Sequence, residues 1–188
     1  QMAEKLRDIP KSGNLHDLPK ILMTGEMYVR KDDISRQYLV ERLADKGIIV
    51  KVTPTSENIY YSNFLTRRGF EDHKFSRRMM SHVENMYYEH TERKARTTLS
   101  VSGLCDTEMI DVEKTVEHAM HLVGAHIKGE TSLTVGTGLR DIIHHVSGIL
   151  SIGPFGCMPS RVAESILTQE MTLEGKRAAT GETWDLDV

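Results

Sequence analysis

Three short apolar runs along the chain predict β-strands. They cover residues 20–24, 48–52 and 149–152, and a glycine or a proline closely follows each of them. Apolar runs of this length, bounded by such residues, are typical of buried strands. We therefore expect a small sheet built from these three segments.

The segment between the first two runs has the spacing of a helix. Asp32 or Asp33 is placed to cap its start, and Gly47 is placed to end it. A strand, a helix and a strand of these lengths form a βαβ unit, in which the two strands run parallel. The apolar positions of this predicted helix are Ile34, Tyr38, Leu39, Leu43 and Ala44.

Apolar spacing predicts further helices on both sides of the third strand. Two of them share residues 56–94 and are separated by a break at Gly69. Residues 97–101 fit either a short strand or a linker. The remaining helices are predicted over residues 111–127, 139–146 and 160–169.

This order of elements predicts an α/β fold, with a Rossmann-like parallel sheet of few strands flanked by helices. Proline and glycine residues mark residues 1–19 as a lead-in segment. The Rossmann-like domain is predicted over residues 20–171. A polar tail follows over residues 172–188, in which the sequence around Trp184 fits a last edge strand.

Composition and charge narrow the partners that the chain is expected to have. The 188 residues are 39% hydrophobic and carry a net charge of −3, with acidic and basic side chains interspersed. Such a distribution gives no reason to expect nucleic acid as a partner. No apolar run approaches the roughly 20 residues that cross a bilayer, and the first residues do not resemble a signal peptide. We therefore expect a soluble, cytoplasmic protein without a membrane partner.

Two segments each permit two interpretations. Residues 67–78 are basic, and they fit either a solvated helix face or a positive patch for a phosphate of CoA or of a nucleotide. Gly136 and Gly138 fit either a plain turn or a phosphate site at the start of the helix predicted after them. The sequence favours the plainer interpretation of each segment.

The loop after the third predicted strand has the most distinctive composition. Pro154 and Pro159 fix backbone angles there, and Gly156 can adopt positive φ. Cys157 is thereby held just before a helix N-terminus, where the helix dipole stabilises a thiolate, as would Arg161 if its side chain folds back. Such a residue fits a buried structural cysteine, a metal ligand or a catalytic nucleophile, and the residue pattern leaves these alternatives open.

The loops that leave the carboxyl ends of parallel strands lie on one edge of a sheet, where ligands bind. We expect the three predicted loops to converge on one cleft. Glu26, Tyr28 and Arg30 alternate along the first loop and fit contacts to one ligand. Arg30 also fits a surface salt bridge with Asp32 or Asp33. The side chains expected to border the cleft are Cys157, Glu26 or Tyr28, and Thr55 or Ser56.

Two sequence strings resemble those of a known family. They are MTGEMYVR at residues 23–30 and IGPFGCMPSRVAE at residues 152–164. Both are similar to the domain of the component subunits of 2-hydroxyacyl-CoA dehydratases. The chain is more closely similar to the long CoA-substrate-specific enzyme activases, in which this domain is fused to ATP-binding activase modules. The resemblance covers residues 20–167.

The resemblance implies Rossmann-like lobes that hold an iron–sulfur cluster between cysteines of different lobes. In that family, an ATP-dependent activase delivers one low-potential electron to a [4Fe–4S] cluster, which supports dehydration of a 2-hydroxyacyl-CoA in anaerobic metabolism. Cys157 matches the family cysteine and is therefore the expected metal ligand. A cluster shared between lobes also implies that the cleft is open on one side in this chain and that Cys157 is partly exposed. The candidate cofactor-binding residues are Glu26, Tyr28, Arg30, Gly156 and Arg161.

The chain departs from the family pattern in two ways. A four-iron cluster takes three or four cysteine thiolates, and Cys157 is one candidate, whereas Cys105 matches no family motif. The chain also has no Walker-type loop, so it is not expected to hydrolyse ATP. The resemblance implies a fragment of a longer protein, with other lobes, a partner subunit, an activase module or acyl-CoA as partners. The isolated domain is expected to be inactive and to hold no stable cluster.

Two other functions compete with a cluster-binding lobe. A cluster-free regulatory or docking module would use the Tyr- and Met-rich residues 56–88 as an interface, and it predicts an inaccessible Cys157. A free-standing CoA-binding domain is the third alternative. It is the least favoured, because the basic residues are not concentrated beside the strand-end loops.

Overall fold

The computed structural model describes residues 2–10, 15–70, 74–105, 107–124, 127, 129–144, 146–172 and 174. Seven α-helices, three β-strands and one short 3-10 helix (Leu15–Asp17) lie within these residues. In chain order, the strands and α-helices are α1 (Met2–Arg7), β1 (Lys20–Gly25), α2 (Leu39–Ala44), β2 (Ile49–Val52), α3 (Ser56–Arg68), α4 (Phe75–Ser100), α5 (Val112–Ala119), α6 (Thr131–His144), β3 (Gly148–Ile152) and α7 (Met158–Glu170).

The three strands form one parallel sheet in the order β2-β1-β3. Ile21 in the central strand pairs with Val50 on one side and with Gly148 on the other. Leu22 and Met23 in β1 are fully buried, as the apolar run predicts. The predicted α/β fold with a Rossmann-like parallel sheet is therefore confirmed, and the carboxyl ends of all three strands lie on one edge.

The chain divides into two compact units. One contains Gln1–His16 and Ile59–Asp111, and the other contains Asp17–Asn58 and Val112–Val188. In the first unit, α1 packs against α4, and the Tyr60 hydroxyl on α3 donates a 2.7 Å hydrogen bond to Glu92 on α4. The second unit contains the sheet. The predicted boundaries at residues 19 and 171 stay predictions, and the predicted edge strand around Trp184 lies outside the described residues.

The core of the second unit lies between α5, α6 and α7. Small and branched side chains from the three helices and from the turn after α5 are almost completely buried there. Gly136 on α6 permits this packing, because a Cβ atom at that position would lie 1.9 Å from the backbone oxygen of Thr115 on α5. The buried residues of this cluster are Ala119, Val123, Val135, Ala163 and Leu167.

The helix predicted between β1 and β2 is much shorter than the sequence indicates. It begins at Leu39, so the prediction that Asp32 or Asp33 caps it is wrong. Gln37 and Tyr38 have φ angles of 53° and 51°, in the left-handed region, and consecutive residues there cannot continue a right-handed helix. The Asp32 side chain instead accepts a 2.8 Å hydrogen bond from the Ser35 amide within a turn.

Several predicted helices are confirmed, with changed limits. The break between α3 and α4 occurs at Gly69, where φ is 74°. Residues 97–101 are neither a strand nor a linker, because α4 continues to Ser100, and α5 ends at Ala119 rather than near residue 127. None of the helices in the described part of the chain has both the length and the apolar character of a membrane-spanning segment.

The glycines of residues 136–138 lie inside a helix rather than before one. Because α6 begins at Thr131, both interpretations of this segment, as a plain turn and as a phosphate site at a helix start, are wrong. Glycine is a poor helix former, which is why the sequence favours a turn there. Tertiary packing overrides that preference, since these glycines admit neighbouring elements at short distances.

Candidate functional site

The loops that follow the three strands meet at the carboxyl edge of the sheet, as predicted. Parallel pairing of β1 with β2 and of β1 with β3 fixes this arrangement. The helices α3 and α7 begin at the same edge, because each follows its strand after a short loop. The strand-end carbonyls, the first amides of α3 and α7 and the loop side chains are therefore concentrated at this edge.

Glu26 lies beside the end of β3, next to the start of the loop that carries Cys157. The Glu26 amide donates a 2.8 Å hydrogen bond to the Ile152 carbonyl, which places Glu26 beside the end of β3. A Cβ atom on Gly153 would lie 2.4 Å from Ser160 Oγ and 3.8 Å from the Glu26 Cβ. The Ser160 hydroxyl in turn donates a 3.3 Å hydrogen bond to Cys157 Sγ. The glycine therefore lets the first turn of α7 approach the β1 loop.

Cys157 is the residue immediately before α7. Its side chain is half-buried, which confirms the predicted partial exposure. Its carbonyl accepts a 3.0 Å hydrogen bond from the Arg161 amide, and Pro159 is the second residue of the helix. Gly156 has a φ of 79°, so the tight turn before the cysteine favours glycine. The loop thus presents one thiol at a helix N-terminus.

The Arg161 side chain does not fold back onto the thiol, so the condition under which it would stabilise a thiolate is not met. Its Nη1 lies 2.6 Å from Glu164 Oε2, one helical turn onward, and both side chains are more than half exposed. An exposed pair of this kind contributes little stability. The Ser160 hydroxyl, which the sequence analysis did not select, is the group that contacts the sulfur.

Arg30 is buried and joins the ends of two strands. Its Nη1 donates a 2.9 Å hydrogen bond to the Gly25 carbonyl, and Nη2 lies 3.4 Å from the Pro54 carbonyl. Nη1 also lies 2.8 Å from Glu57 Oε1, and both side chains are only 1% exposed. Arg30 therefore fixes the loops after β1 and β2 to the start of α3.

The alternative prediction for Arg30, a surface salt bridge with Asp32 or Asp33, is wrong. Asp33 pairs with Arg36 instead. A guanidinium can reach two carbonyls and a carboxylate at once because its donors form a planar fork. The chain at the ends of β1 and β2 supplies the two carbonyls, and the first turn of α3 supplies the carboxylate. Tyr28, from the same loop, is 65% exposed and lies at the surface.

Glu57 is a buried residue of this site that sequence reasoning did not select. It lies in the first turn of α3, where a carboxylate also faces the positive end of the helix dipole. Burial raises the pKa of its carboxyl, and the Arg30 charge opposes that rise. The sequence did contain one indication of this ion pair: Arg30 follows β1 and Glu57 follows β2, and the ends of parallel strands lie on one edge of the sheet.

Glu130, at the start of α6, is a second carboxyl that the sequence analysis did not select. Its carbonyl accepts a 2.7 Å hydrogen bond from the Thr134 amide, and its side chain is half-buried. Burial raises the pKa of its carboxyl above the ordinary 4.5, Arg30 opposes the rise, and the Glu26 carboxylate adds to it. The Thr131 hydroxyl donates a 3.2 Å hydrogen bond to the Pro159 carbonyl, so α6 and α7 begin side by side.

Glu130→Gln is expected to stabilise the protein at neutral pH. A carboxyl with a raised pKa stabilises the folded state below its ordinary value of 4.5, and this contribution is lost as the pH rises through the folded-state pKa. Glutamine does not titrate, so the Glu130→Gln variant does not lose this contribution as the pH rises. Denaturant unfolding at several pH values should show that the free energy of unfolding of the variant, relative to that of the wild type, increases as the pH rises. Glu164→Gln is the exposed control, and parallel pH profiles for Glu130→Gln and the wild type would contradict the prediction.

The residues of this edge do not by themselves fit an iron–sulfur cluster. A four-iron cluster takes three or four thiolates, and Cys157 is the cysteine that this edge supplies. Cys105 belongs to the other compact unit. Among the residues that the structure describes, no three cysteine, histidine or carboxylate side chains are grouped closely enough to hold a metal ion.

Tyr28, Thr55 and Ser56 belong to loops at the same edge as Cys157. Thr55 and Ser56 follow β2, which lies on the opposite side of β1 from β3. A single cleft bordered by all three loops stays a prediction.

Comparisons with known proteins identify no relative: no protein-family model, no curated protein and no solved structure significantly matches this chain.

Proposed function

We propose that this chain is a lobe of an iron–sulfur electron-transfer protein related to 2-hydroxyacyl-CoA dehydratases and their activases. In this proposal, Cys157 contributes one thiolate, and another lobe or a partner subunit supplies the remaining ligands. The protein acts in the cytoplasm, with an ATP-dependent activase module and an acyl-CoA substrate as partners of the assembly. The lobe alone is inactive.

The position of Cys157 is the observation that supports this proposal. Its half-buried thiol lies immediately before a 13-residue helix, at the end of the loop that follows β3. The Ser160 hydroxyl donates a hydrogen bond to the sulfur at 3.3 Å. Such hydrogen bonds to ligand sulfurs are among the features that set cluster potentials. A ligand shared between lobes needs this partial exposure, whereas a packing cysteine does not.

Cys157→Ala is expected to remove most of the bound iron. The test is anaerobic reconstitution, with iron and sulfide, of the natural polypeptide that contains this sequence together with its partner subunits. Iron content and charge-transfer absorbance should both fall in Cys157→Ala and remain in the matched control Cys105→Ala. Circular dichroism checks that both variants fold. Equal iron and equal absorbance in Cys157→Ala and the wild type would remove the proposed ligand role.

A second function is favoured by a separate observation on the first compact unit. Large apolar side chains of α4 are exposed along one side of the helix, among them Phe75 at 77% and Met86 at 71%. Contiguous exposed apolar surface of this kind marks interaction sites. The second proposal is therefore a docking module. The inaccessible Cys157 predicted for such a module is not found, because the thiol is half-buried, but docking through α4 does not require this cysteine.

A further inference from the structure

One side of α4 changes character along its length. Its first half exposes six large apolar side chains, each of them more than half exposed. They recur at spacings of three and four residues, so they lie on one side of the helix. We call them the apolar half of the α4 stripe: Phe75, Met79, Met80, Val83, Met86 and Tyr87.

The same side of the helix is basic in its second half. His90 follows Met86 by four residues, and Lys94 follows His90 by four, so the spacing of the apolar half continues. Neither Arg93 nor Lys94 takes part in an ion pair within the described residues. We call the second set the basic half of the α4 stripe, which lines a shallow, open depression: His90, Arg93, Lys94, Thr97 and Thr98.

The acidic residues of α4 lie away from this stripe. Glu84 pairs with Arg77 at 2.7 Å, and Glu89 accepts a hydrogen bond from Asn85. Glu92 accepts hydrogen bonds from Tyr60 and Arg96. The structure describes every residue of α4, and none of its three glutamates falls on the stripe. The stripe is therefore apolar over about three turns and positively charged over the next two.

We propose that the α4 stripe docks an amphipathic helix of a partner protein, with an acidic N-terminal half and an apolar C-terminal half, running antiparallel to α4. Acids at the start of such a helix meet Arg93 and Lys94, and its apolar residues cover the apolar half. In the antiparallel direction the two helix dipoles point in opposite directions, which is favourable. The acids also lie at the N-terminus of the partner helix, where its own dipole stabilises negative charge. Methionine-rich surfaces are well suited to such helices, because their side chains adapt to the partner.

The charge order along the stripe disfavours a second copy of this chain as the occupant. Two α4 helices in antiparallel register would set each apolar half against the other basic half. A parallel pair would bring the two basic halves together, which like charges oppose. A lipid surface is also disfavoured, because membrane-surface helices carry their cations beside the apolar stripe, whereas Arg93 and Lys94 lie within it.

This inference rests on the docking function and is independent of Cys157. The test uses the whole chain and a labelled peptide of about 24 residues, the length that spans the stripe at about 1.5 Å per residue. The peptide carries glutamates in its first half and leucines at helical spacing in its second half. A second peptide has lysine in place of each glutamate. Vesicles of phosphatidylserine and phosphatidylcholine form a third arm.

We expect the acidic peptide to bind, and Met79→Glu/Val83→Glu to abolish binding. Arg93→Glu/Lys94→Glu should weaken it about tenfold or more and should bind the lysine peptide better than the wild type does, which a damaged fold could not produce. Arg42→Glu/Lys46→Glu on the other unit is the control of equal charge change. Cys157→Ala should bind as the wild type does, so a failed cluster proposal would not alter this result.

Three outcomes would overturn the proposal. One is that the acidic peptide fails to bind, or binds equally to all the variants. Another is that the wild type forms dimers that Met79→Glu/Val83→Glu dissociates, which would assign the stripe to a second copy. The last is vesicle binding without peptide binding, which would assign it to a membrane surface.

Discussion

Arg30→Met is expected to lower the free energy of unfolding by about 3–5 kcal/mol, because it leaves the Glu57 carboxyl buried without its cation. Both side chains are 1% exposed, so solvent cannot replace the lost partner. The carbonyls of Gly25 and Pro54 also lose the hydrogen bonds that the Arg30 guanidinium donates to them. Urea unfolding followed by circular dichroism measures the loss. The deficit should shrink toward acid pH, where Glu57 is protonated in both the folded and the unfolded states.

A double-mutant cycle separates the ion pair from general damage to the core. Glu57→Leu should also be costly, since it strands the Arg30 charge, whereas Arg30→Met/Glu57→Leu should be more stable than either single variant. Arg161→Met, which breaks the exposed pair with Glu164, should change stability by less than about 1 kcal/mol. Strictly additive losses at Arg30 and Glu57 would show that the two side chains are not coupled.

Gly136→Ala should lower the free energy of unfolding by about 3 kcal/mol, at the upper end of the cost of overpacking. Alanine is the better helix former by about 1 kcal/mol, but its Cβ atom would lie 1.9 Å from the Thr115 backbone oxygen. A backbone atom cannot rotate away, so α5 and α6 must separate. Thermal or urea unfolding measures the effect.

Gly138→Ala is the matched control for this prediction. Its Cβ atom would meet only the ends of side chains, Leu167 Cδ2 at 2.8 Å and Ile149 Cδ1 at 3.1 Å. Both ends can shift by rotation, so the loss should be clearly smaller than for Gly136→Ala. Equal losses in the two variants would mean that helix separation is not the cause.

The sheet was predictable because its strands are short, apolar and bounded by glycine or proline. Residues 20–24, 48–52 and 149–152 match β1, β2 and β3 to within one or two residues. Their parallel direction followed from the βαβ spacing, and the shared edge of their loops followed from the direction. Local sequence carries all of this information.

The missed features depend on tertiary contacts that local sequence does not reveal. Glycine at position 136 disfavours a helix by its local propensity. The close approach of α5, which explains why a glycine is needed there, is visible only in the folded structure. Tyr38 has an ordinary side chain for a helix, yet its backbone lies in the left-handed region. The buried ion pair of Arg30 with Glu57 joins the loop after β1 to the first turn of α3, and nothing in the local sequence distinguishes either residue from a surface charge.

The candidate site was predictable in part. The composition of the loop after β3 placed Cys157 before α7, which is confirmed. Its partial exposure is also confirmed, but that expectation came from the resemblance to a family in which lobes share a cluster. The direction of the Arg161 side chain was not predictable, because Glu164 one turn away competes for it. The role of Ser160 required the position of Gly153, which the sequence alone cannot relate to Glu26.

The central position of β1 also determines the order in which the sheet can assemble. The segments that contain Ile21 and its partner Val50 are synthesised close together, but its other neighbour, Gly148, is made far later. Until then, the buried residues Leu22 and Met23 lie on a strand with one open edge. Contacts between residues so distant in sequence slow folding, and an unpaired strand edge invites association with other chains. Completion of the sheet therefore waits for β3, and the nascent chain is most prone to aggregate before β3 is available.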